Sequence, residues 1–329
     1  MKHLGVALAL AGLVLAIVLF VRGDIAGVVD LLLAAGPGLI VAAIFHLAPM
    51  ALNARAWQLL LPVHERSSLR TLTRATWIRE SVNGLLPVGR IGGEVVAYRI
   101  LRRSLISRAS AAASLVADMA LSVVSQAGFA LLGLGLLVML GATTLATPRL
   151  LAGLAIMIAL GVAFALVQRA GAMSAITSVL NRLLAGRLNA AITKSLRLDS
   201  AMREIYARRR DVAACLAWQL AGWVAGAGEI WLALYFLGHP CSVLDAVVIE
   251  ALIQAISSAA FLVPGALGVQ EGGFVLVGAA LGIDGTAALA LATARRLRDL
   301  IVFLPGLLAW QWSEVRAHVP KSVKPSQSP

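Results

Sequence analysis

Runs of about 20 predominantly apolar residues recur along this chain, at 4–21, 38–61, 109–141, 149–168, 212–237 and 286–312. Each is long enough to cross the hydrocarbon core of a bilayer as a helix. With 60% hydrophobic and only 13% charged residues, the chain lies far outside the composition of soluble domains. The absence of strand-length segments of alternating polarity, together with long Leu/Ala/Val/Gly runs, argues against an outer-membrane barrel. The expected fold class is an all-α polytopic membrane protein with six transmembrane helices. The first run resembles a signal peptide in position only, because it is long for one and Val21-Arg22-Gly23-Asp24 offers no small-x-small cleavage site. It is read as an uncleaved first span. The two cysteines, Cys215 and Cys241, build neither a disulfide framework nor a thiolate metal cluster.

A net charge of +12 would suggest nucleic acid in a soluble protein, but here its distribution reports orientation. With the N-terminus in the cytoplasm, Lys2, the 62–80 and 169–211 loops, residues 95–108 (Arg99, Arg102, Arg103, Arg108) and the tail from 313 all lie inside with a net +15. The segments left outside, 22–37, 142–149 and 238–245, carry a net −1. The expectation is a multi-pass protein of the inner, cytoplasmic membrane with both termini cytoplasmic.

Two segments do not behave as spans. Leu86-Pro87-Val88-Gly89-Arg90-Ile91-Gly92-Gly93-Glu94 and Val263-Pro264-Gly265-Ala266-Leu267-Gly268-Val269-Gln270-Glu271 each place a glutamate seven residues after a proline, with a serine (Ser81, Ser258) six residues before it. Proline and glycine open the backbone ladder, and lipid cannot satisfy the freed groups, so such segments survive only inside protein or along a wet cavity. The two copies lie 177 residues apart in halves of three spans each, so the second half starts on the opposite face from the first. The expected organisation is an inverted repeat: 1–148 with a re-entrant hairpin at about 81–98, 149–312 with another at about 246–283, and a disordered cytoplasmic tail, 313–329. Pro87, Gly89, Gly92, Pro264, Gly265 and Gly268 would be the hinges. Eight ordinary spans with surface loops is the competing reading. It is weakened by 272–282, too short to cross alone, and by the arginines near 295, which it would put outside against the charge bias. Paired interrupted segments in two halves point to a transporter's binding site.

The runs 83–94 (Asn83 to Glu94) and 261–274 resemble the flippase-like transmembrane module of lysylphosphatidylglycerol synthases over nearly the whole chain. Within that family the second run is most similar to the hopanoid-biosynthesis-associated branch. The resemblance implies a module that moves or handles lipids between leaflets. Bifunctional relatives carry a separate soluble aminoacyl-transferase domain; only residues 313–329 follow the last expected span here, so that domain is expected to be absent and no enzymatic activity is expected.

Ionisable groups inside a membrane are functional candidates by default. Glu94 and Glu271 fall at the proposed hairpin tips, near Asn83, and could bind a cation, exchange a proton or pair with arginine. Arg90 can hold a phosphate through two hydrogen bonds. Arg295, Arg296 and Arg298 lie ten to thirteen residues into the last span; Asp299 can neutralise one and Asp284, Glu271 or Glu250 another, and the surplus of positive charge that remains points to a phosphate-bearing headgroup. Asp118 and Glu229 are isolated acids beside small residues, open to a basic partner. His46, with Asn53 on the same helical face, suits either a proton relay or interhelical hydrogen bonds. Apolar positions spaced through 172–205 with Arg182, Arg187, Lys194 and Arg197 describe an amphipathic helix on the inner leaflet or a docking surface.

Metalloprotease, nucleophile-elbow, paired-cysteine and Walker motifs are missing, so no catalytic residue, metal or cofactor is expected. The expected function is lipid transport or flipping, of a phospholipid or a hopanoid-type lipid. Membrane lipids are the expected partners, with lipid-biosynthesis enzymes as a second class and nucleic acid excluded. The competing functions are a non-transporting scaffold for lipid-modifying enzymes and a small-solute transporter.

Overall fold

The computed structural model describes residues 13–86, 92–141, 189–260, 263 and 266–318. Among these the regular structure is helical: α1 (Leu13–Arg22), α2 (Ile25–Ala35), α3 (Gly38–Phe45), α4 (Leu47–Leu60), α5 (Leu69–Leu85), α6 (Gly92–Arg103), α7 (Arg108–Met139), α8 (Asn189–Ala207), α9 (Arg209–Phe236), α10 (Val243–Ala259), α11 (Val269–Ala280) and α12 (Gly285–His318). The stretches Gly38–Leu60 and Arg108–Met139 are long and apolar enough to cross a membrane. The proposed span at 149–168 and the tips Pro87, Gly89, Arg90, Pro264 and Gly265 lie outside the described residues.

Short polar residues start many of the helices by accepting first-turn N–H groups. Asp24 accepts from Gly27, Ser68 from Thr71, Ser107 from Ser110, and Asp284 from Thr286. Those backbone bonds hold the Asp284 carboxyl below the usual carboxylate range. Ser242 and Asp245 form a reciprocal capping box before α10. At the other end of α4 the orphan carbonyls are taken by two arginines from elsewhere in the chain. Arg208 donates to the carbonyls of Leu59 (3.1 Å), Leu60 (2.8 Å) and Leu61 (3.1 Å), Arg66 donates to Leu61, and both bind Asp211 at 2.9 Å. Cations at a helix C-terminus also meet the negative end of its dipole. Arg103 at the end of α6 similarly holds Glu314 of α12 at 2.7 Å and keeps its carboxyl below the usual range.

The interrupted segments separate two helical hairpins, α5 against α6 and α10 against α11. The first runs back to Leu69, well before the 81–98 expected, and α12 continues as one helix to His318, past the expected end of the span. Central α4 and α9 pack face to face, α7 packs on α10, and α12 packs on α5. Small residues allow these approaches. A Cβ on Gly133 of α7 would lie 2.4 Å from the Ala251 side chain of α10, and one on Gly228 of α9 would lie 2.6 Å from Phe45. The core has two main parts. One joins Leu39, Phe129, Ile230, Ile249, Phe274 and Leu289; the other joins Trp57, Leu72, Leu101, Leu115, Met202 and Cys215. Met202 and Ile205 of α8 are buried in the second, so the described end of the expected amphipathic segment gives apolar positions to the protein, whereas Leu196 stays exposed.

Leu300, Leu304, Leu308 and Trp312 repeat every four residues along α12 and are all at least half exposed, as are Val41 and Ile44 on α3. Such continuous apolar stripes on the outside suit lipid and not water.

The α7–α10 contact yields a test. Gly133→Leu, which must displace Ala251, is expected to lower the detergent melting temperature by several degrees, at an overpacking cost of about 1–3 kcal/mol. Gly135→Ala, facing open space, should leave it unchanged or raise it; equal losses in both would refute the close packing.

Candidate functional site

The span formed by α3 and α4 is broken at His46. Pro49 has no N–H to give the carbonyl of Phe45 and its ring crowds that turn, so the helix breaks there. The imidazole is thereby presented to α5, α9 and α12. His46 Nδ1 lies 2.7 Å from Glu229 Oε2 of α9, and Glu80 Oε2 of α5 is 4.0 Å from Nε2. Arg298 of α12 reaches both ring nitrogens, 2.9 Å from Nε2, and its Nη1 lies 3.0 Å from the same Glu229 oxygen. Arg298 Nε also pairs with Asp299 at 2.9 Å, and its guanidinium covers Phe303.

One turn earlier, Arg295 makes a two-point contact with Glu250 of α10, with a second bond at 3.0 Å. Glu250 also accepts from Gln254 at 2.7 Å, while Gln126 of α7 donates to the Gln254 carbonyl (3.1 Å) and to Ser258 (2.6 Å). Arg295, Arg298, Glu229 and Glu250 are each about 95% buried or more. Arg296, partly exposed on the other face of α12, binds Glu271 at 2.8 Å. The second Glu271 oxygen accepts the Gly268 N–H at 2.7 Å, so this acid also closes the start of α11. Gly268 itself has φ +74°, a conformation that favours glycine.

A second group surrounds Arg79 of α5. Its Nη1 is 2.8 Å from Asp118 of α7 and 3.8 Å from Glu94 of α6, and its guanidinium lies over Trp57. Asp118 accepts from Gln219 of α9 at 3.1 Å. Asn83 ties the hairpin by accepting the Gly93 N–H at 2.8 Å, and a Cβ on Gly93 would fall 2.3 Å from the Arg79 carbonyl, so the α5–α6 approach requires glycine.

The structure brings Arg295 and Arg298 together with Glu229, Glu250 and His46. It places Glu271 with Arg296 and Glu94 with Arg79, so the two hairpin-tip acids enter separate ion-pair groups. Arg90 lies outside the described residues, and Asn53 sits against Gly222, away from His46. The expected surplus of positive charge is not found. Among the described residues, seven carboxylates (Glu80, Glu94, Asp118, Glu229, Glu250, Glu271, Asp299) meet four guanidiniums (Arg79, Arg295, Arg296, Arg298) and His46. Sequence reasoning missed Arg79, Glu80, Gln126, Gln219 and Gln254. Arg79 follows Leu72, Ala75 and Thr76 on the buried face of α5 at helical spacing, which is the signal that would have found it. A small enclosed space, large enough for about one water, is lined by Glu229, Arg295 and Arg298 on one side and by Leu39, Ala42 and Leu291 on the other.

The family model described as the lysylphosphatidylglycerol synthase TM region matches residues 4–306. Comparison with curated proteins and with solved structures returned no match.

Breaking a buried ion pair leaves an uncompensated charge, at about 3–5 kcal/mol. Glu250→Gln and Arg295→Met are each expected to destabilise the detergent-solubilised protein on that scale, and the double variant to lose less than the sum of the two. Additive losses would show that the two-point contact does not form.

Proposed function

The chain belongs to the lysylphosphatidylglycerol synthase transmembrane-region family, and from that premise we propose that it is a flippase-like lipid transporter. The chain is a membrane protein of a family linked to lipid handling, helical throughout its described regular structure. The proposed cargo is a phospholipid or a hopanoid-type lipid, the second following the likeness of the 261–274 run to the hopanoid-associated branch. The protein acts by transport and not by catalysis. Six spans and two re-entrant hairpins sit in the inner membrane with both termini cytoplasmic, as the charge bias requires.

One observation carries this reading: buried carboxylates and arginines from α5, α9, α10 and α12 converge with His46 beneath an exterior of exposed leucines. Charges in a bilayer interior are costly and are retained where a polar cargo must pass. The packing supports an inverted repeat. The third long helix of each half lies on the hairpin of the other, α7 on α10 and α12 on α5, while α4 meets α9 between them. Rocking of one half against the other would expose the charged interior to each face in turn, with acyl chains left in lipid. Lipid-biosynthesis enzymes are the proposed suppliers of the cargo. The scaffold reading is weakened because the described end of α8 buries its apolar face in its own protein.

Purified protein in liposomes with a trace of fluorescent phosphatidylglycerol is expected to make inner-leaflet probe accessible to external dithionite well above protein-free liposomes. Exchange no faster than in protein-free liposomes would overturn the reading. Membrane-impermeant maleimide should label Asp30→Cys in intact cells and spare Arg99→Cys; the reverse would invert the topology.

A further inference from the structure

His46 stands between two carboxylates and a guanidinium. Glu229 Oε2 lies 2.7 Å from Nδ1 and Glu80 Oε2 4.0 Å from Nε2, while Arg298 Nη1, itself a donor, lies against both ring nitrogens. Neutral imidazole has one ring lone pair to offer that donor, and the imidazolium has none. A second proton on the ring would therefore set donor against donor and two positive charges at contact. It would leave the two N–H groups to Glu229 and Glu80 and free one edge of the Arg298 guanidinium.

Resting on the transport reading above, we propose that the protein couples lipid movement to protons, with His46 as the carrier and Arg298 as the ligand of a phosphate-bearing headgroup. The proton arrives from water on whichever face is open, binds the free ring nitrogen of His46, and leaves from the same atom when the phosphate departs. Freed Arg298 then gives a phosphodiester two parallel N–H donors. The proton and the single negative charge of the phosphodiester enter together, so the net charge of the buried site is unchanged through the cycle, and desolvation of an extra ion is avoided. The charged groups against His46 are Glu80 from α5, Glu229 from α9 and Arg298 from α12; around them stand Arg79 beside Glu80, Arg295 beside Glu229, Asp299 on Arg298, and Glu250 of α10 on Arg295. The water-sized space beside Glu229, Arg295 and Arg298 gives the released guanidinium room to turn.

Two measurements on the full-length protein test this. In liposomes, phosphatidylglycerol exchange should rise as pH falls from about 8 to 5.5, by up to about tenfold per pH unit above the midpoint of one titrating imidazole. His46→Gln should exchange at a rate independent of pH, and Glu80→Gln should move the midpoint to lower pH. Exchange with the same pH profile in wild type and His46→Gln overturns the coupling and leaves lipid transport standing. In 15N-histidine NMR, with the His46→Gln spectrum assigning the resonance, adding phosphatidylglycerol should raise the pH at which His46 gains its second proton, because linkage between two ligands is reciprocal. A midpoint that phosphatidylglycerol does not move overturns the inference, whatever the exchange assay gives.

Discussion

A guanidinium or carboxylate carried out of water into a low-dielectric interior costs several kcal/mol unless an opposite charge meets it, and that cost governs how these helices are arranged. Arg295 reaches from α12 to α10, Arg298 from α12 to α9, and Arg79 from α5 to α7. Each pair lies between helices that are apart in sequence, so forming it fixes their separation and rotation. The amide side chains of Gln126, Gln219 and Gln254 then occupy remaining carboxylate and carbonyl oxygens, which leaves fewer polar atoms of the bundle to seek partners elsewhere.

Function is drawn from the same economy. In lipid there is no hydrophobic force between helices, so apolar packing with small residues would hold such a bundle at lower cost. Gly133 against Ala251 and Gly228 against Phe45 show that this chain uses that device as well. The charged groups are thus retained beyond what association needs. The group around His46 gathers where the α3–α4 span is broken by Pro49, so the break in the backbone and that concentration of charge are one feature.

The fold class was legible because apolar length is a one-dimensional quantity, and α4, α7, α9 and α12 fall close to the runs that hydropathy marks. The separation of α5 from α6 and of α10 from α11 was legible, since proline and glycine runs leave a local signature in the sequence. Pair identity was not. Glu94 and Glu271 share a position relative to their prolines, yet one joins Arg79 and the other Arg296, because the partner is set by which helix crosses nearby. The supposed excess of positive charge near 295 came from allowing these arginines only two counter-charges; Glu250, Glu271 and Glu229 each take one in space, and Glu229 reads as an isolated acid in the sequence. Glu80 escaped notice because the 62–80 stretch was counted as a charged loop, whereas it runs into the buried face of α5.

The collar over the end of α4 has a mechanical consequence. Arg208 and Arg66 hold the last carbonyls of that helix while Asp211, in the first turn of α9, holds both arginines. The two central helices are therefore riveted at one end, and they can part only as the blades of shears do, with the displacement growing with distance from the rivet. A helix residue rises 1.5 Å along the axis, so His46, about 15 residues up from Leu61, sits roughly 20 Å from that fulcrum. A tilt of a few degrees, too small to disturb the collar, is amplified there into the ångström-scale displacement that separates one hydrogen-bond partner of the imidazole from the next.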